Sequence, residues 1–329
     1  MAGDGSGVIH LQCLGLLCNN LTQYTLARLL AQELGFALHV SHSPVKPRTN
    51  VPEFLQLLDR FADAPLDIPG EGFQQPVDQS AHLEHGFDGY HFDFQHMVAD
   101  TRARRIELQG YFERYAYFKP YKEQIRQWYA TEPFDAGYDI HPEDIVLHIR
   151  RADFVVHGRA IDLGFYTRLL NSLSFRQLYI CGIGLDAEVR RVFAPYEPRY
   201  VHGNTVDDFC FIKGFNRIVQ SQSTYAWWAG FLSEAEEIHA PIPENYTTRS
   251  VLEQPGIELV VDDEPRYHYI QDVPQATRPL GVRDIVAARS QLANRRKPSL
   301  YARALLTDLR GLPRRLRRGL AGSGADRES

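Results

Sequence analysis

Apolar positions along this chain follow two rhythms, and the change from one to the other predicts its elements. Val8 to Leu17 is a short apolar run between a glycine-rich start and Asn19-Asn20, which predicts a buried strand. From Leu21 to Leu34, Leu21, Tyr24, Ala27, Leu30 and Leu34 recur at helical spacing. Gly35 then supplies a residue suited to the left-handed end of a helix. Residues 40 to 105 keep neither rhythm; their prolines, histidines and scattered aromatics predict loops and short elements. Leu108 to Phe112 predicts a strand. Phe118 to Tyr129 predicts a helix, with Pro120 in the first turn where a missing N–H costs nothing.

A second alternation begins at Asp144. Its strands are Ile145 to Leu147, Gln177 to Cys181, Arg217 to Gln220, Ile238 to Ala240 and Glu258 to Val261. Its helices are Phe165 to Leu173, Ala187 to Phe193, Val206 to Phe215 and Tyr225 to Ser233. Strands alternating with helices predict an α/β chain with parallel sheets flanked by helices. We read two Rossmann-like domains, 1–140 and 141–265, followed by C-terminal helices and a basic tail over 266–329. Ligands of such sheets bind beyond the carboxyl ends of the strands.

Composition narrows the class without changing the layout. The 329 residues are 44% hydrophobic and 23% charged, enough for two cores without disulfide staples. The net charge of -5 gives no general basic surplus for nucleic acid, and no nucleic-acid partner is expected. Cys13, Cys18, Cys181 and Cys210 match no zinc spacing and predict buried thiols. The N-terminus lacks the basic start and apolar run of a signal peptide, and no apolar stretch is long enough to span a bilayer. A cytoplasmic protein is expected. Basic residues from Arg295 to Arg318, against the single Asp308, interleave with leucines near helical spacing. That pattern suits peripheral contact with an anionic membrane and equally a solvated tail.

Three polar clusters fall just beyond predicted strands. His148-Ile-Arg150-Arg151-Ala-Asp153 follows Ile145 to Leu147. Guanidinium groups grip phosphate oxygens as a two-pronged fork and stay charged, so two at a strand end suit a pyrophosphate. The bland alternative is an Arg-Asp pair that ties a loop to the sheet. Ser221-Gln-Ser223-Thr224-Tyr225 leads into an apolar helix, where free N–H groups and hydroxyls accept an anion or merely cap the helix. Asp207-Asp208 opens another helix, either favouring its dipole or accepting from the N–H groups of a guanine edge. No P-loop, G-x-G-x-x-G after a strand, D-x-D, H-E-x-x-H or G-x-S-x-G occurs.

These residues resemble a known family. His148-Ile-Arg-Arg-Ala-Asp-Phe154 resembles the H-x-R-R-x-D-[YF] signature of the alpha-1,2-fucosyltransferases. Asp208 to Trp228 is similar to that family's second motif, which ends S-[ST]-[FY]-x-W-W. Gly110 to Phe118 resembles its G-Y-F-Q segment, and Leu17 to Tyr24 its L-G-N-Q-M-F-Q-Y. The matches keep the family's order over residues 9 to 245. Cys18, Asn20, Thr22 and Glu113 depart from it, as does Cys181-Gly-Ile-Gly after its strand.

The resemblance implies a GT-B fold, GDP-fucose as donor, a glycan acceptor hydroxyl, inversion at the anomeric carbon and no metal or other cofactor. It implies that Arg150 holds the β-phosphate while Arg151 supports the turn or the phosphates. Asp153 orients the arginines or the donor sugar. His148 and Asp208, with Asp207 as second choice, contact guanine. Ser223, Thr224 and Tyr225 bind phosphate, and Asn19 and Gln23 line the cleft. Glu113 and Asp153 are the candidate general bases.

Overall fold

The computed structural model describes residues 7–42, 51–64, 94–100, 105–108, 110–132, 134, 137–156, 159–243 and 258–275. The first half opens with β1 (Val8–Cys13), α1 (Leu17–Leu34) and β2 (Ala37–His42). The short helices α2 (Val51–Leu58) and α3 (Phe94–Asp100) follow, then β3 (Arg105–Leu108), α4 (Tyr115–Phe118) and α5 (Lys122–Trp128). Its three strands form a parallel sheet in the order β2-β1-β3. Gly35 ends α1 at φ 64°, as its lack of a Cβ permits, and its N–H caps the carbonyls of the last turn.

The second half contains β4 (Ile145–Arg150), α6 (Ala152–Val156), α7 (Leu163–Asn171), β5 (Leu178–Ile183), α8 (Ala187–Phe193) and β6 (Arg199–Tyr200). It continues with α9 (Thr205–Lys213), β7 (Arg217–Val219), α10 (Thr224–Phe231), β8 (Glu237–Pro243) and β9 (Tyr267–Val273). All six strands are parallel, in the order β6-β5-β4-β7-β8-β9. Counted within this half, that is 3-2-1-4-5-6, the order of a doubly wound dinucleotide-binding sheet. Strand β4 is buried from Ile145 to Ile149, as its unbroken apolar run requires of a strand covered on both faces. The expected α/β chain with two parallel sheets is therefore present.

The two halves share one apolar core. α1 packs on α10, and Tyr24, Phe118, Tyr129 and Trp228 are all buried in the same cluster. Trp228 lies edge-on or tilted against Phe118, Tyr129, Trp227 and Phe231, and its Nε1–H donates to Thr22 Oγ1 across the halves at 2.8 Å. We predict that Trp228→Phe costs about 2 kcal/mol, because the ring is largely retained while a buried hydroxyl loses its donor. A denaturant midpoint indistinguishable from the parent would refute this role.

A strap from Glu258 to Arg266 also joins the halves. Arg114 pairs with Glu258, Lys119 with Asp262, Lys122 with Asp263 and Arg126 with Glu264. The Trp227 indole donates to the strap carbonyl of Leu259.

Several expectations shift. The predicted helix from Phe118 to Tyr129 is broken into α4, a 3-10 turn at Lys119–Tyr121 and α5. Pro120 in that turn has no N–H to continue an α-helical ladder. The strand predicted at Leu108 to Phe112 lies earlier, at Arg105–Leu108, and that predicted at Glu258 to Val261 shrinks to a single bridge between Arg114 and Glu258. Tyr267–Val273 pairs with β8 as the last strand of the second sheet, so that sheet runs past the boundary expected at 265. Two elements lie within the unreadable stretch after residue 50, and β2 begins just before it. The basic segment from Arg295 to Arg318 lies outside the described residues. No described helix is long and apolar enough to cross a membrane.

Candidate active site

The second sheet reverses its winding between β4 and β7, the adjacent strands from which chain order runs outward in both directions. Crossovers leave the sheet on opposite sides there, which opens a crevice beyond the strand ends. The His148-to-Asp153 cluster leaves β4 at that crevice, and Ser221 to Thr224 leaves β7. The two clusters touch. His148 Nδ1 lies 2.8 Å from Ser221 Oγ, and the His148 ring lies over Tyr225 at 5.2 Å. Ser221 Oγ donates in turn to Ser223 Oγ at 3.2 Å, so Nδ1 carries the imidazole hydrogen and Nε2 remains an acceptor. Burial, with the neighbouring Arg150 charge adding to it, lowers the His148 pKa to about 3. The ring is thus neutral and serves as a fixed polar contact.

The turn after β4 is tight. Arg151 N–H donates to Ile183 O at 2.9 Å, and Ala152 adopts φ 31°. Gly182, at φ 128°, comes so close to β4 that a Cβ there would sit 2.0 Å from Ile149 O. Only glycine tolerates both the backbone angle and that approach. Gly182→Ala is therefore expected to cost at least about 2 kcal/mol and to distort the Arg150 turn. Retention of both stability and ligand binding would refute it. Positive φ at Ala152 and at Phe112, beside Glu113, puts local strain of about 1–3 kcal/mol each at these two turns.

The paired arginines separate. Arg151 is 7% exposed and turns toward the start of α8, where Nη2 donates to Glu188 at 2.7 Å. It supports the turn, the first of its two expected roles. Arg150 stays at the crevice, half-buried, with its guanidinium 5.0 Å from the Phe154 ring. Arg159, which sequence reading passed over, lies 5.1 Å from the same ring. Its carbonyl accepts from Gln222 Nε2 of the Ser221–Thr224 loop. Its signal was faint: a lone arginine after glycine, eight residues beyond Arg151, in no motif. Asp153 falls within α6, but its side chain lies outside the described part.

At the start of α10, Ser223 Oγ accepts from Ala226 N–H as an N-cap. Thr224 Oγ1 donates to Glu113 at 2.6 Å, and Tyr225 Oη donates to Thr205 O at 2.7 Å. These hydroxyls are spent within the protein, so an anion here would meet the N–H groups of the first turn instead. Among the described residues, nothing accepts from the Thr224 or Tyr225 N–H.

Glu113 stands where the two halves meet. It is 3% exposed, and its Oε1 accepts from Thr224 Oγ1 and from Asn19 Nδ2 at 2.8 Å. Burial raises its pKa; the bonds from Thr224 and Asn19 and the positive charge of Arg159 oppose that rise. Asn19 also accepts from Leu16 N–H, so it locks the first turn of α1 to the junction. Gln23 does not line the cleft. It is fully buried, and its amide clasps the backbone N–H and C=O of Leu14 at 2.8 and 2.9 Å. With both ends taken, it shapes the loop from β1 to α1.

The two aspartates also differ. Asp207 bonds Arg60 of the first half and the Asn204 amide, an ion pair between the halves at the start of α9. Asp208 accepts from Gly203 N–H at 2.9 Å. Its charge acts on Tyr225 and Cys181, which keeps it on the His148 side. All four cysteines are free and buried. Among the described residues, no group of three or more His, Cys, Asp or Glu is arranged to hold a metal ion.

No family model matches the chain, and no curated protein matches its sequence. Among solved structures it is similar to the NodZ alpha-1,6-fucosyltransferase soaked with GDP-fucose, with TM-score 0.45 and 15% identity over 71% of this chain and 94% of that one. POFUT1 in complex with GDP gives TM-score 0.43 and 12% identity over 73% and 99% of the two chains. The glycosyl transferase family 9 protein from Veillonella parvula gives TM-score 0.41 and 11% identity over 94% and 98%.

Proposed function

We propose that this protein is an inverting glycosyltransferase of the GT-B kind that moves L-fucose from GDP-fucose to a hydroxyl of a glycan acceptor, O2 of a galactoside. One observation carries the reading. The two motifs that resemble the alpha-1,2-fucosyltransferases lie some 70 residues apart in sequence, yet His148 and Ser221 are hydrogen-bonded at the reversal point of the second sheet. A sheet of that order takes nucleotides at that point.

In this reading the diphosphate meets Arg150 and the first-turn N–H groups of α10. The guanine edge offers N–H donors, which suit the acceptor Nε2 of neutral His148 and the Asp208 carboxylate. Departure of GDP builds negative charge on the diphosphate, and fixed cationic and N–H groups stabilise it as it forms. Glu113 accepts the acceptor hydroxyl's proton as the new glycosidic bond forms and the sugar–phosphate bond breaks. Asp153 orients the donor sugar. The basic segment from Arg295 to Arg318 holds the enzyme near anionic membranes that carry its acceptor.

The test is nucleotide release from GDP-fucose, GDP-mannose and UDP-sugars, with and without EDTA and with a panel of galactosides. GDP released from GDP-fucose alone, insensitive to EDTA, is the expected result. Release from another donor would overturn the fucosyl assignment, and a requirement for metal would overturn the metal-free mechanism. A vesicle-flotation assay on anionic liposomes tests the tail.

A further inference from the structure

We infer that Arg159 is a second guanidinium of the donor diphosphate site, reached through the Phe154 ring it shares with Arg150. The inference rests on the donor reading above and adds a residue that no matched motif contains.

Two guanidinium carbons at 5.0 and 5.1 Å from one ring centre lie within roughly 10 Å of each other, each held on the aromatic surface. Such a pair repels itself. The repulsion sits beside the N-terminus of α10, whose unpaired N–H groups add further positive potential. His148, held neutral, contributes no charge. The negative group here is Glu113, bound to Thr224 and Asn19 and acted on by the Arg159 charge. One buried carboxylate set against two arginines and a helix start leaves an excess of positive charge. That excess suits a ligand with more than one negative charge, and a diphosphate supplies it.

The position of Arg159 is also built. Its N–H donates to Phe154 O at 2.7 Å, and its carbonyl is gripped by Gln222 from the loop after β7. The side chain is exposed, so its head can reach a ligand in the crevice. The backbone clasp fixes the segment between the two motifs, and Phe154 directs both heads to one place. Arginine serves here for its fork, which binds two oxygens of one phosphoryl group.

Calorimetric titration of the purified full chain with GDP, GMP and guanosine tests this, using the parent, Arg159→Ala, Arg159→Lys and Arg150→Ala. Arg159→Ala should weaken GDP binding about tenfold or more. It should weaken GMP less and leave guanosine unchanged, at an unaltered melting temperature. Arg159→Lys should recover part of the loss. Equal GDP affinity in Arg159→Ala and the parent, with Arg150→Ala weakened, would overturn the role of Arg159 and leave the donor reading standing. A parent that binds none of the three would overturn both.

Discussion

Glu113→Gln is expected to lower turnover by about 10²–10⁴-fold while the protein stays folded, as loss of a general base does. The substitution is chosen because Glu113 has two separable jobs. Its Oε1 is an anchor that accepts from Thr224 and Asn19 across the two halves. A glutamine Oε1 accepts the same two bonds, so the anchor survives and only the proton-accepting carboxylate is lost. The pH profile separates the jobs further. A base works only when ionised, and burial raises the Glu113 pKa. Activity of the parent should therefore fall as pH drops through a carboxylate pKa above the usual range. In Glu113→Gln that acidic limb should vanish from the residual rate. Near-parental turnover in a folded variant would make Glu113 an anchor alone and return the base to Asp153.

Arg150→Ala is expected to lower turnover by about 10²–10³-fold, the usual loss when a fixed group facing transition-state charge is removed. The fold should persist, because the backbone of Arg150 ends β4 in register with Ile183 and that pairing needs no side chain. Arg150→Lys should recover less than its charge suggests, since a point charge cannot reproduce the fork. A second readout comes from His148. Arg150 adds to the burial that lowers the His148 pKa to about 3, so removing it should raise that pKa, measurable by NMR titration of the imidazole. Turnover near the parent in folded Arg150→Ala would refute the mechanism.

Local chemistry determined much of this protein at the level of sequence. The apolar run of β4 requires a strand buried on both faces, and α1 and α8 follow from helical spacing with Gly35 and Asp186 at their ends. The polar residues after β4 and β7 were recognisable as strand-end clusters before any pairing was known, because that position in an α/β sheet is where ligands bind. β2, with alternating histidine and serine, and β9, rich in tyrosine, were not legible as strands. Their partners in the sheet, rather than their own composition, make them strands.

Tertiary structure alone decided how the candidate residues divide their work. Adjacent positions diverge: Arg151 turns to Glu188 while Arg150 faces the crevice, and Asp207 pairs with Arg60 while Asp208 stays beside Tyr225. Gln23, which a motif put in the cleft, is consumed by Leu14. Arg159 entered through a shared ring, and Glu113 gained its place through partners 94 and 111 residues away. A residue's type states which bonds it can make. Which of them it makes depends on groups brought near by folding, and where those lie far along the chain no local pattern records the choice.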